Sequence, residues 1–186
     1  MSTIQTLIRD RAYAEADLYR RLVNFLREET IKIQSLSGFI DSFKALDRHE
    51  DNLGLFLFNF YLQHSSEDVE VLRSLAYKRA SLIVGNSINL LIRNVNIFNI
   101  YSKRRILTIA RTETGMIKNM ELFKRASDLG LTSKRWMCLD DSERHQDRHL
   151  VIRPIAYKYK GGGLFPLDPN FEVGQIINCR CFQTYE

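Results

Sequence analysis

The stretch A-S-D-L-G-L-T-S-K-R-W-M-C-L, Ala126 to Leu139, decides the fold, because the sequence changes period inside it. Before it, Lys103 to about Leu129 reads as one amphipathic helix. Ile106, Ile109, Ala110, Thr114, Ile117, Met120 and Phe123 recur at three- and four-residue intervals, with Gly115 a tolerated weak point. Gly130 stands where a left-handed C-terminal cap belongs. After it, Lys134 to Leu139 has strand character, Val151 to Tyr159 alternates like a strand, and Ile176 to Thr184 returns as a last one. Ser142 to His149 reads as a short polar helix or turn, Gly161-Gly162-Gly163 as a flexible turn, and Pro166 and Pro169 frame a loop.

Upstream the pattern is helical. Ile4, Leu7, Ile8, Ala14, Leu18, Leu22, Phe25 and Leu26 form a stripe that one charge, Arg11, interrupts. Ser35 to Gly38 breaks that helix and a second begins near Ile40. The run L-F-L-F-N-F-Y-L suits a buried helix or a strand, and helix is favoured because no turn residues bound it at strand length after Gly54. Ser65 reads as the N-cap of a third helix, with Glu67 and Asp68 complementing its positive end. The propensity of Gly85 to Ile100, rich in asparagine and β-branched residues, is ambiguous. Helices first and strands last give an α+β fold: a helical region over residues 1–102, then residues 103–186, a long helix packed on a small antiparallel sheet.

At 186 residues, 45% of them hydrophobic, the chain has enough material for a real core. Met1 to Ile33 carries charges throughout and no apolar run of signal-peptide type, and L-G-L-F-L-F-N-F-Y-L is about half the length of a membrane span, so a soluble protein made in the cytosol is expected. Three cysteines argue against a disulfide framework and leave thiols or a metal site. The net charge of +5 is uneven: residues 1–100 hold 12 Lys/Arg and 12 Asp/Glu, residues 101–186 hold 15 and 10. Such asymmetry fits an anionic partner, although a solvated basic face is the commoner origin of so small an excess.

Several residues in the second half carry candidate chemistry. Arg111 and Glu113, two apart on a helix, face different neighbours. His145 and His149 are four apart on one helical face, and with Cys179 and Cys181 they form the candidate zinc set, although no standard zinc spacing joins them. The alternative is that Cys179 and Cys181, on one face of a strand, fill the core side while Asn178 and Arg180 bond neighbouring loops; packing is favoured, so no cofactor is expected and zinc is the alternative. Lys103, Arg104, Arg105, Lys134, Arg135, Lys158 and Lys160, with Trp136, Tyr157 and Tyr159 among them, are the candidate nucleic-acid contacts. The sequence has no Gly-rich phosphate loop, G-x-S-x-G or H-E-x-x-H, and no catalytic residue is assigned.

Taken in order, R-T-E-T on a helix, Trp136 followed by L-D-D and an Arg/His-rich turn, a Gly/Pro loop and the closing I-N-C-R-C-F resemble the C-terminal domain of the phage Mu F-like head morphogenesis, or minor head, proteins. The resemblance covers about residues 103–184, and N-C-R-C after a proline-containing loop is its most specific element. The family's motif positions map onto Arg111, Thr112 and Glu113, then Trp136 and Asp140, then Arg144, and finally Asn178, Cys179, Arg180 and Cys181. Where the family places a histidine three residues after the arginine, this chain has Asp147, and L-V-I-R-P-I replaces the glycine that usually follows. The resemblance implies a non-enzymatic virion protein, assembled in the host cytoplasm and present in several copies in the phage head. Its implied partners are portal and capsid proteins, with packaged DNA as a further one and no membrane. A small nuclease-like enzyme using Glu113, His145 and His149 on RNA or DNA is the alternative from another class.

Overall fold

The computed structural model describes residues 3–34, 39–93, 100–137, 151–160, 162–171 and 181–186. Among these, four helices precede three strands: α1 (Thr3–Gln34), α2 (Phe39–His64), α3 (Val69–Ile92), α4 (Lys103–Asp128), β1 (Ser133–Met137), β2 (Ile152–Pro154) and β3 (Phe182–Tyr185). The α+β expectation is met. The chain forms two compact units, residues 18–107 and residues 1–17 with 108–186. Compared with the division at residue 102 read from the sequence, the start of α4 belongs with the helices and residues 1–17 belong with the sheet.

The helical unit is built on the hairpin of α2 and α3. The aromatic-rich run is helical, and its Leu53, Leu57, Phe60 and Tyr61 are buried, as are Leu72, Ala76, Ala80 and Val84 of α3. Gly54 lets the two helices approach, since a Cβ there would lie 2.7 Å from a ring carbon of Tyr77. The N-cap of α3 is Asp68, not Ser65: its Oδ1 accepts the amides of Glu70 at 2.9 Å and Val71 at 3.2 Å, while Ser65 Oγ accepts the Glu67 amide ahead of the helix. The ambiguous segment is helical as far as Ile92, and residues 94–99 lie outside the described residues.

In the second unit, α4 ends as its sequence predicts. Gly130 has φ 68°, its amide donates to Ser127 O, and the Leu131 amide donates to Ala126 O, each at 3.0 Å. These are the paired bonds of a Schellman cap. The sheet has order β2-β1-β3 and is antiparallel, with Lys134 opposite Arg153 on one side and Tyr185 on the other. The strand expected over Val151–Tyr159 is cut to Ile152–Pro154: Ile155 N still reaches Thr132 O at 2.8 Å, and then the chain turns, Tyr157 N donating to Pro154 O at 2.9 Å. The strand expected over Ile176–Thr184 is present as Phe182–Tyr185, with residues 172–180 outside the described residues; Ser142–His149 and Gly161 also lie outside them. The helix meets the sheet through Phe123, whose ring lies 6.4 Å from that of Tyr185. No helix among the described residues is long and apolar enough to cross a membrane.

Gly54→Ala tests the close approach in the hairpin. Without room for the added methyl, it should lower stability by about 1–3 kcal/mol in urea unfolding, and no loss would mean that Tyr77 yields freely.

Candidate functional site

Two residues singled out by the sequence, Arg111 and Glu113, lie in the middle of α4 in the second unit. Arg111 Nε donates to Glu15 Oε1 of α1 at 3.1 Å, both side chains mostly shielded from solvent. Glu113 is fully buried. Arg111 and Glu113 are two helical positions apart, so they point in different directions. One turn further on, Gly115 leaves the space in which two other residues cross the helix: a Cβ there would lie 2.5 Å from Arg11 Nη2 and 2.5 Å from Leu167 Cδ1. The glycine that weakens the helix locally is therefore what admits its partners.

Arg11, the charge that interrupts the stripe of α1, is buried and donates through Nη1 to Cys181 O at 2.8 Å. Asn119 Nδ2, one turn beyond Gly115, donates to the same carbonyl at 3.1 Å and to Pro166 O at 3.0 Å. Two irregular segments thus have buried carbonyls met by side chains of α1 and α4, as buried backbone requires. The Pro166 loop is shaped by Asp168, whose Oδ2 accepts the Leu164 amide at 2.7 Å and whose Oδ1 accepts Asn170 N at 2.9 Å and Asn170 Nδ2 at 2.8 Å. Leu167 takes φ 67°, a strained value for a branched residue, and its side chain is buried.

Beneath the loop, Lys134 is buried on the inner face of β1. Its ammonium donates to Leu164 O and lies 5.1 Å from the Tyr159 ring and 5.7 Å from that of Phe123. Gln183 Nε2 donates to Leu164 O at 3.3 Å and to Tyr159 Oη at 3.2 Å, and Tyr185 Oη donates to Gln183 Oε1 at 2.8 Å. Burial pulls the Lys134 ammonium down to about 8, against a smaller opposing pull from the Asp168 carboxylate. Burial, reinforced by Tyr159, pushes the Tyr185 hydroxyl far up. Trp136, also buried, sets its ring edge-on to Tyr159 at 4.8 Å and to Phe171 at 6.2 Å.

Of the motif and metal candidates, Arg111, Glu113, Trp136 and Cys181 share this unit, Cys181 as a buried residue. Asp140, Arg144, His145, His149, Asn178, Cys179 and Arg180 lie outside the described residues. Two of the candidate nucleic-acid contacts are corrected. Lys134 is enclosed as described, and Arg105 is half-buried in the helical unit, donating to Ile100 O at 2.9 Å and Ser87 Oγ at 2.9 Å. Cations held by internal acceptors are not presented to a phosphate backbone. Lys103, Arg104, Lys158 and Lys160 are exposed, and Arg135 is half-exposed with Glu186 3.5 Å away.

Sequence reasoning missed Asn119 and Asp168 altogether and took Arg11 for a blemish. A charge on an otherwise apolar stripe, and an aspartate between two prolines, were the available signals. In chemical terms the assembly directs side-chain donors at backbone carbonyls and at a carboxylate that organises a turn, which is the work of a clasp. Comparison with known proteins finds no matching family model, no matching curated protein and no matching solved structure.

Two outcomes follow from the clasp. Arg11→Met strips a buried carbonyl of a charged donor and should destabilise the protein by about 1–3 kcal/mol, whereas Arg9→Met, at an exposed site, should stay within about 0.5 kcal/mol; equal effects in denaturant unfolding would refute the clasp. Lys134 sets a pH dependence. Between about pH 8 and the ordinary lysine value near 10.4, the unfolded chain still holds a proton that the folded one has released. Stability therefore rises with pH across that window. Above about pH 10, ionisation of tyrosine in the unfolded chain opposes it, because folded Tyr185 keeps its proton. Lys134→Met should flatten the rise between pH 8 and 10 in thermal melts.

Proposed function

We propose that this chain is a structural minor head protein of a tailed bacteriophage, docked on portal and capsid subunits in several copies and contacting packaged DNA through basic side chains. The observation that carries the reading is the order of R-T-E on the long helix, Trp136 with L-D-D, the proline-framed loop and N-C-R-C before the last strand. Support comes from how the described motif residues are used. Arg111 is tied to Glu15, Trp136 is packed among rings, and the Cys181 carbonyl is held by Arg11 and Asn119. Residues spent on internal fastening suit a part whose task is to hold shape in an assembly. The protein would act in the host cytoplasm during assembly and in the virion afterwards. The DNA contact falls to the exposed Lys103, Arg104, Lys158 and Lys160.

Head fractions from infected cells test the assembly role: the chain should co-sediment with portal-containing procapsids, and its absence from them would overturn the reading. Purified protein should bind duplex DNA at low salt with an affinity that falls as salt rises. The double variant Lys158→Glu, Lys160→Glu should reduce the slope of log affinity against log salt by about 0.9 for each phosphate that is no longer neutralised. Wild-type protein that ignores DNA at low salt would remove DNA from the list of partners and leave the assembly role to stand on the head fractions.

A further inference from the structure

The helical unit contains a buried polar chain that the proposed function does not use. His49 of α2 is fully buried, with Nδ1 3.4 Å from Glu29 Oε2 of α1 and Nε2 2.9 Å from Tyr101 Oη, just ahead of α4. Ser87 Oγ of α3 lies 3.2 Å from Tyr101 Oη and 2.8 Å from Ile83 O, and Arg105 Nη2 of α4 donates to Ser87 Oγ at 2.9 Å. The ring is closed in by Phe25, stacked at 5.7 Å, and by the edge of Tyr101. Titratable or charged groups facing His49 include Glu29 from α1, and Tyr101 and Arg105 from the start of α4; α3 brings the Ser87 hydroxyl.

Hydrogen-bond directions in this chain follow from what each atom can do. Glu29, as a carboxylate, only accepts, and at 3.4 Å its charge, rather than a formed hydrogen bond, favours the tautomer with hydrogen on Nδ1. In a neutral imidazole Nε2 must then accept, so Tyr101 donates to it, Ser87 donates to Tyr101, and Arg105 donates to Ser87. Every donor points from the guanidinium toward the carboxylate. In an imidazolium both ring nitrogens donate, so Tyr101 Oη accepts from Nε2 and turns its own hydrogen to Ser87 Oγ. Ser87 in turn gives its hydrogen to Ile83 O, which stands ready at 2.8 Å. Burial keeps the Tyr101 hydroxyl protonated, so it can serve in either direction.

We infer that His49 is a proton-operated lock on the helical unit: it takes a proton from solvent on mild acidification, becomes an ion pair with Glu29 that joins α1 to α2, and the Tyr101–Ser87 hydroxyls reverse to accept it. A carboxylate 3.4 Å from the ring favours the imidazolium over the neutral imidazole. Arg105 opposes uptake from beyond the Tyr101 ring, 5.5 Å from its centre.

The test is a histidine titration of the full-length chain by nuclear magnetic resonance, with His49 assigned through its own backbone and its ring nitrogens read for tautomer. The lock requires a hydrogen on Nδ1 at alkaline pH and a midpoint above the unfolded value of about 6.5. Tyr101→Phe keeps the ring, removes the acceptor of the second N–H, and should lower the midpoint by about one pH unit, the worth of a hydrogen bond to a charged group. Thermal melts of the wild type should gain stability from pH 8 to pH 6, and His49→Gln should lose that gain. A His49 that stays neutral down to pH 5, carries its hydrogen on Nε2, or titrates identically in Tyr101→Phe would overturn the inference.

Discussion

The carbonyl oxygen of Cys181 is the point on which the second unit depends. It lies in irregular chain pressed against a helix that has no free backbone amides to offer, and a buried carbonyl without a donor costs on the order of 1–3 kcal/mol. Arg11 and Asn119 supply the donors from two different helices. Because Asn119 also holds Pro166 O, one side chain fixes the last strand and the proline loop on the same turn of α4. The space at Gly115 and the left-handed backbone of Leu167 are conditions for that arrangement: one lets Arg11 and Leu167 cross the helix, the other turns Leu167 inward. A strained residue persists only where its surroundings over-determine it, and here they do.

Each unit buries a polar cluster among its described residues. In the sheet unit the cluster is made of carbonyl acceptors met by Lys134, Gln183, Arg11 and Asn119; in the helical unit it is a chain of side-chain groups from Arg105 to Glu29. Removing one partner from either leaves a buried group unpaired, while apolar packing would have served stability as well or better. What such clusters add is registry: a helix that slid by one turn would lose its partners, whereas an apolar surface would find others.

The basic excess of the C-terminal part divides in the same spirit. Arg105, Lys134 and Arg111 face inward toward carbonyls, hydroxyls and Glu15, and Lys103, Arg104, Lys158 and Lys160 face outward. Charge counting along the chain treats all of them alike. Only the outward set bears on an anionic partner.

The α+β order, the helicity of the aromatic run, the length of α4 and the Gly130 cap were legible in the sequence, because each is a local matter of period, propensity or left-handed φ. The placing of Arg111 and Glu113 on one helix followed from the same logic. The boundaries that failed, the N-cap at Ser65 and the long strand after Val151, were decided by which of two neighbouring carboxylates or hydroxyls reached the amides and by where the chain turned after Pro154. The clasp was decided only by tertiary structure, since Arg11 lies 170 residues from Cys181, and its meaning depends on a carbonyl that no side-chain pattern announces. Residues 1–17 join the sheet unit for the same reason: the sequence records that a charge interrupts the stripe, but the fold alone determines what buried acceptor that charge meets.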